Sequence, residues 1–177
     1  MAAMESLVGQ LLIASPTLTD YFQRAVILVL AHAEEGAMGV VLNRPSELEV
    51  AEAVPIVHAE VGADDLVYMG GPVSPRSVVV LAEFDDPEDA ATQVFGPVGV
   101  LDPERPDASV RRLRAFSGYA GWGPGQLETE LEQDAWFLAP AQIDDPFADE
   151  DLWPLALRRK GGRYALLARM PADPSLN

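Results

Sequence analysis

At 177 residues the chain has room for one sizeable hydrophobic core and too little for two, so a single domain spanning residues 1–177 is expected. Twelve basic residues against 28 acidic ones leave a formal charge of −16, a field that repels polyanions and disfavours direct contact with nucleic acid. Cysteine is absent, which removes disulfides, thiolate metal sites and cysteine nucleophiles, and the two histidines, His32 and His58, give zinc little to work with. No apolar run reaches the roughly 18 residues of a membrane span, and the N-terminus MAAMESLVGQ lacks the charged and apolar regions of a secretory signal. A soluble, cytoplasmic protein without a membrane partner is expected.

Fifteen prolines leave little room for long helices, because proline removes an N–H donor and interrupts helices and central strands. In chain order, Gly9 to Ala14 reads as a short apolar strand closed by Ser15-Pro16. Ala25 to His32 is a continuous apolar run suited to a strand covered on both faces, and Ala37 to Asn43 returns from it as a hairpin around Ala33 to Gly36. Ser46-Glu47-Leu48-Glu49 has the form of a capping box, which predicts a short helix ending before Pro55. Leu66 to Met69 and Ser77 to Ala82 read as strands on either side of a Gly70-Gly71-Pro72 turn.

Glu83 to Gln93 reads as an exposed acidic excursion, Val98 to Leu101 as a weak strand, Asp102 to Asp107 as a loop, and Arg112 to Tyr119 as a return to the sheet. A helix is predicted from Pro124, with Leu127 and Leu131 facing inward, then a strand at Trp136 to Leu138. After the acidic loop Asp144 to Asp149, a second helix starts near Asp151, carries Arg158, Arg159 and Lys160 in its last turn, and stops at Gly161. Arg163 to Arg169 is predicted as a last strand. The pattern implies an α+β domain with a mixed or antiparallel sheet and a few short helices rather than a doubly wound parallel sheet.

Three stretches together resemble one family: LLIASPTLTDYFQRAVILVLAH leading into EEGAMGVVLNRP, then VYMGGPV, then FSGYAGWGPGQLETEL followed by AW. On these the chain is identified as a member of the YqgE/AlgH family, over Gly9 to Trp136, with a similar tail. The resemblance implies a bifurcated sheet folded into a pseudo-barrel in a bacterial cytosolic protein. Some members carry the label of transcriptional regulator, which the resemblance passes on. Ala25 departs from the pattern, since many relatives have serine there; any chemistry of that serine is lost to this chain.

The densest unusual segment is Gly118-Tyr119-Ala120-Gly121-Trp122-Gly123-Pro124-Gly125-Gln126, with four of the fourteen glycines in eight positions. Glycine permits positive φ and close backbone approach, so the segment suits a ligand loop, or a tight strand-to-helix crossover whose Tyr119 and Trp122 plug the core. It has neither P-loop nor dinucleotide-binding spacing, and no cofactor is expected. Arg24, and Asn43-Arg44 ending the next strand, offer planar forks for a carboxylate or phosphate, or for pairing with the chain's own acids. Gly70 and Gly71 serve a sharp turn or line a pocket beside the glycine-rich segment. His32 is a base or a hydrogen-bonded residue at the sheet margin; no metal spacing and no nucleophile elbow are present.

Three functional readings follow. A non-catalytic binding or regulatory module fits motifs made of Gly, Pro and aromatic residues, with a small anionic ligand or a protein partner. An enzyme acting on a small anion requires Arg24, Arg44 and the Gly118 to Gly125 loop to converge on one open pocket. Direct DNA regulation requires one basic face from Arg111, Arg112 and Arg114 together with Arg158, Arg159, Lys160, Arg163 and Arg169.

Overall fold

The computed structural model describes residues 5–49, 66–102, 104–105 and 108–171. Its centre is a ten-stranded sheet with strands β1 (Gln10–Ala14), β2 (Val26–Ala33), β3 (Gly36–Val41), β4 (Pro45–Glu49), β5 (Leu66–Met69), β6 (Val73–Phe84), β7 (Thr92–Phe95), β8 (Val98–Val100), β9 (Val110–Trp122) and β10 (Trp136–Pro140). Among the described residues three α-helices accompany it: α1 (Gln126–Glu132), α2 (Leu152–Lys160) and α3 (Arg163–Leu167).

The strand order is β10-β1-β2-β3-β9-β6-β8-β7, with β4 and β5 branching from β9. Strand β9 makes the fork. Phe116 pairs with Val79 of β6 on one side and with Tyr68 of β5 on the other, and farther along Ala120 to Trp122 exchange β5 for β3. All pairings are antiparallel except β5 with β9. The sheet is thus bifurcated as the resemblance implied, but its path stays open, with β10 and β7 at its two ends, so it is not closed into a barrel.

Alternating side chains feed different cores, as the two-residue period of a strand requires. Leu11, Ile13, Val26 and Leu28 point into a cluster with Leu152, Trp153, Ala156 and Leu157 of α2. Leu12, Ala14, Ile27 and Val29 point the other way, against Trp122, Leu127 and Trp136. This two-sided burial explains the uninterrupted apolar run of β2, where each fully buried leucine or isoleucine contributes about 1.5–3 kcal/mol. A third cluster under β6 and β9 holds Val80, Ala82, Phe84, Leu113 and Ala115.

Helix α2 forms as predicted: the Asp151 carboxylate accepts the Trp153 N–H, three cations occupy the last turn, and Gly161 follows with φ 77°. Lys160 also donates to the Leu138 carbonyl at 2.6 Å, which with Pro140 blunts the terminal strand β10 against further pairing. The proline-bearing start of β6 runs exposed through a shift in the ladder with β9, where a missing N–H costs nothing. The predicted excursion at Glu83 to Gln93 is shorter than expected, since Glu83 and Phe84 finish β6 and Thr92 already opens β7.

Two sequence expectations need correction. Ser46 to Glu49 belongs to strand β4, where the Ser46 hydroxyl donates across to the Val67 carbonyl at 2.6 Å instead of capping a helix; the helix expected before Pro55 lies outside the described residues. Arg163 to Leu167 is helix α3, not a strand. Positive φ at Gly161 and Gly162 turns the chain back onto α2, and Tyr164, Leu167 and Ala168 then fall on one helical face against the first cluster.

Candidate binding cleft

The segment between β1 and β2 is built from local side-chain turns. Ser15 stops β1, its Oγ accepting the Thr17 N–H at 3.3 Å and lying 2.5 Å from the Thr17 hydroxyl. Asp20 folds the next stretch, with Oδ1 accepting the Phe22 N–H at 2.9 Å and the backbone carbonyl accepting the Gln23 N–H at 3.2 Å. The chain then passes through Arg24 at φ 57°, a left-handed conformation that is uncommon for a long side chain.

Asn43 imposes that conformation. Its Oδ1 accepts the Val26 N–H at 3.0 Å, and its Nδ2 donates to the Arg24 carbonyl and to Asp151 Oδ1, both at 2.9 Å. One carboxamide therefore ties the start of β2 to the cap of α2. Beside it, Arg44 donates to the Gln23 carbonyl at 3.0 Å and covers the Tyr21 ring at 4.7 Å. Trp153, anchored by its indole N–H on the Ala14 carbonyl at 2.8 Å, receives the Arg24 guanidinium over its face at 4.3 Å. Arg24 Nη2 also donates to the Met170 carbonyl.

These contacts border a half-enclosed cleft of about 260 Å³ whose walls include Pro16, Leu18, Thr19, Arg24, Trp153 and Met170. Stacking covers the face of the guanidinium but leaves its in-plane N–H groups able to bond. The cleft combines one cation and small polar groups with an apolar wall, as small-molecule sites do. Sequence reading found Arg24 and Asn43. It missed Trp153, whose only signal is an aromatic side chain directly after a helix-capping aspartate, and Met170, which gives no signal.

The other predicted site residues lie elsewhere. Gly70, Gly71 and Gly118 form a crossing in which backbones touch: a Cβ on Gly70 would sit 2.4 Å from the Gly118 carbonyl oxygen, and one on Gly118 would sit 2.3 Å from that of Gly71. Tyr119 packs partly buried on the first cluster, while Gly121 is exposed beside it. Trp122, 7% exposed, stacks edge-on against Trp136 in the second cluster. Gly123 donates its N–H to the Gln126 side chain at 3.1 Å, and Gly125 with φ 75° begins α1. Among the described residues, Trp122 of the glycine-rich segment and Arg24 line different pockets.

His32, near the end of β2, makes two side-chain contacts. Its Nδ1 accepts the Leu7 N–H at 3.1 Å, which puts the proton on Nε2, 2.6 Å from Glu128 Oε1. The hydrogen bond from His32 holds the Glu128 carboxyl below the ordinary range. A shallow depression of about 290 Å³ adjoins His32 and Trp122. His58 lies outside the described residues.

Four of the clustered arginines are engaged by acids, whereas Lys160 bonds the Leu138 carbonyl and Arg163 the Tyr164 hydroxyl. Arg111 pairs with Asp85, Arg112 with Glu83 at 2.8 Å and Asp144 at 2.6 Å, and Arg114 with Asp149 at 2.7 Å. Arg159 grips the buried Asp145 with two bonds of 2.7 and 3.0 Å. Among the described residues no group of three or more acidic or histidine side chains is arranged to hold a metal ion. No described helix is long and apolar enough to cross a membrane.

Comparison with known proteins agrees with the motifs. A family model described as AlgH-like matches residues 11–165. A UPF0301 protein of Streptomyces coelicolor is 42% identical over 193 residues, covering 100% of this chain and 98% of the relative. A UPF0301 protein of Thermobifida fusca is 40% identical over 191 residues, covering 97% and 96%. Among solved structures, a Corynebacterium diphtheriae protein aligns with a TM-score of 0.80 and 32% identity over 96% of this chain and 95% of that one. The solution structure of the AlgH protein from Pseudomonas aeruginosa aligns with a TM-score of 0.69 and 28% identity, covering 97% of each chain. The chain therefore belongs to the AlgH-like family.

Proposed function

We propose that this protein is a non-catalytic binding module whose cleft at Arg24 and Trp153 takes a small anionic ligand. The observation that supports this reading is the Arg24 fork itself, held in a left-handed turn by Asn43, backed by an indole, and set in the wall of a half-enclosed cleft. An arginine whose conformation is fixed from both sides binds without first ordering a long side chain, which lowers the entropic cost of recognition. Ser15, a hydroxyl in the same lining, is almost fully buried and spends its oxygen on Thr17. That arrangement suits holding better than attacking.

The alternatives draw less from the geometry. Among the described residues, an enzyme using the glycine-rich segment together with Arg24 lacks a common pocket, and a DNA-contacting regulator has Arg111, Arg112, Arg114 and Arg159 of its eight cations engaged by acids.

Thermal shift against a panel of small anions in low salt tests the reading. A ligand that binds only the folded state at 100 times its Kd adds about 2.7 kcal/mol, a shift of several degrees for a chain of this size. The shift is expected for wild type and absent for Arg24→Met. A compound consumed catalytically by wild type and spared by Arg24→Met overturns the non-catalytic reading.

A further inference from the structure

Building on that anion-binding reading, we propose that the cleft selects a small organic monocarboxylate rather than a phosphate or a polyacid. Charge decides first. Among the described residues lining the cleft, Arg24 is the single cation, and part of its donor capacity is already committed to the Met170 carbonyl. Asp151, one hydrogen-bonded residue away through Asn43, adds negative potential, and the whole chain carries −16. One fork neutralises one charge. A second negative charge on the ligand meets no further cation among the described lining residues and faces the field of the protein, which long-range electrostatics penalises most at low ionic strength.

Shape decides second. With its face covered by Trp153, the guanidinium is left to bond in its own plane, where parallel N–H groups match the two oxygens of a carboxylate. A cavity of about 260 Å³ is smaller than the roughly 300–1,000 Å³ of ordinary ligand pockets. A half-enclosed space of that size suits a small organic acid better than a bulky ligand. Pro16, Leu18, Trp153 and Met170 supply an apolar wall for the body of such a molecule, and the Thr19 hydroxyl a polar rim.

The test compares benzoate and hexanoate with their uncharged amides, with inorganic phosphate and with citrate, by titration calorimetry and by NMR of the Met170 methyl group. The carboxylates are expected to bind at least tenfold more tightly than any of the other probes and to shift the Met170 signal. Arg24→Met abolishes that binding, and Arg24→Lys, which keeps the charge without the fork, weakens it at least tenfold. Phosphate or citrate binding as tightly as the monocarboxylates overturns the selectivity while leaving anion binding intact. No response to any anion overturns anion binding as well. Binding that survives in Arg24→Met, or that leaves Met170 unmoved, overturns the assignment to this cleft.

Discussion

The glycine-rich crossing and the Arg24 corner both contain backbone in left-handed conformation, and they use it in opposite ways. At the crossing, Gly118 with φ 76° lets β9 come within atomic contact of Gly70 and Gly71, and the space between the strands is gone. At the corner, Arg24 with φ 57° carries a long side chain through the same region of conformational space, and Asn43 supplies the hydrogen bonds that keep it there. A glycine in this conformation lowers the steric cost of packing. A bulky residue in it raises that cost, and such outliers cluster where side chains are aimed at ligands. On the proposed reading, the first region is scaffold and the second serves recognition.

The largest expected effect lies in the scaffold. Trp122→Ala empties a buried site against Trp136 and Leu127, at a cost of about 3–5 kcal/mol in denaturant unfolding. Ligand affinity at Arg24 should hold once the variant is folded. If Trp122→Ala keeps its stability and loses the ligand, the two assignments are reversed.

Gly118→Ala comes next. The new Cβ meets the Gly71 carbonyl oxygen at 2.3 Å, and the left-handed backbone adds about 1–2 kcal/mol to an overpacking cost of about 1–3 kcal/mol. At roughly 2–4 °C per kcal/mol, a loss of several degrees in Tm is expected. An unchanged Tm breaks the view of this crossing as close-packed backbone.

The legibility of these regions in the sequence differed for physical reasons. Strands β1, β2 and β3, the start of α1 and both ends of α2 were readable because burial on two faces, Pro124, Asp151 and Gly161 act locally. Strand β4 and helix α3 were not. The Ser46 hydroxyl had a choice between a helix N–H and the Val67 carbonyl, and only the position of β5 decides it. Arg163 to Leu167 fits either period over five residues, and the docking surface on α2 selects the helix. At the site, Arg24 and Asn43 were visible as strand-end polar residues, whereas Trp153 and Met170 join them from positions more than 100 residues later in the chain. Long-range closure of that kind leaves no local pattern.

Asn43→Ala sharpens the recognition side. It removes three hydrogen bonds and leaves the Val26 N–H without its acceptor, so a loss of about 1–3 kcal/mol is expected. Because Arg24 is then free to leave its left-handed turn, affinity for a carboxylate should fall beyond what the stability loss explains, and Asn43→Asp should leave part of both deficits. Stability loss with unchanged affinity would make Asn43 a structural latch alone.

The smallest effect belongs to Glu128, which lies outside both regions and calibrates them. His32 holds its carboxyl below the ordinary glutamate range, so the unfolded chain takes up that proton at a higher pH than the folded one. The contribution to stability is present in full above the unfolded value and disappears as pH falls through the lowered folded value. The Glu128 side chain is 37% exposed, so solvent screens the pair and the slope is shallow. Tm measured from about pH 6 down to about pH 3 should fall more steeply in wild type than in Glu128→Gln, with the two curves converging at the acid end. Parallel curves would show that the short contact to His32 carries no net stability. Carboxylate affinity at Arg24, whose cleft shares no described wall residue with the depression at His32, should be the same in both proteins at pH 7, and a change there would mean that the margin and the cleft are coupled.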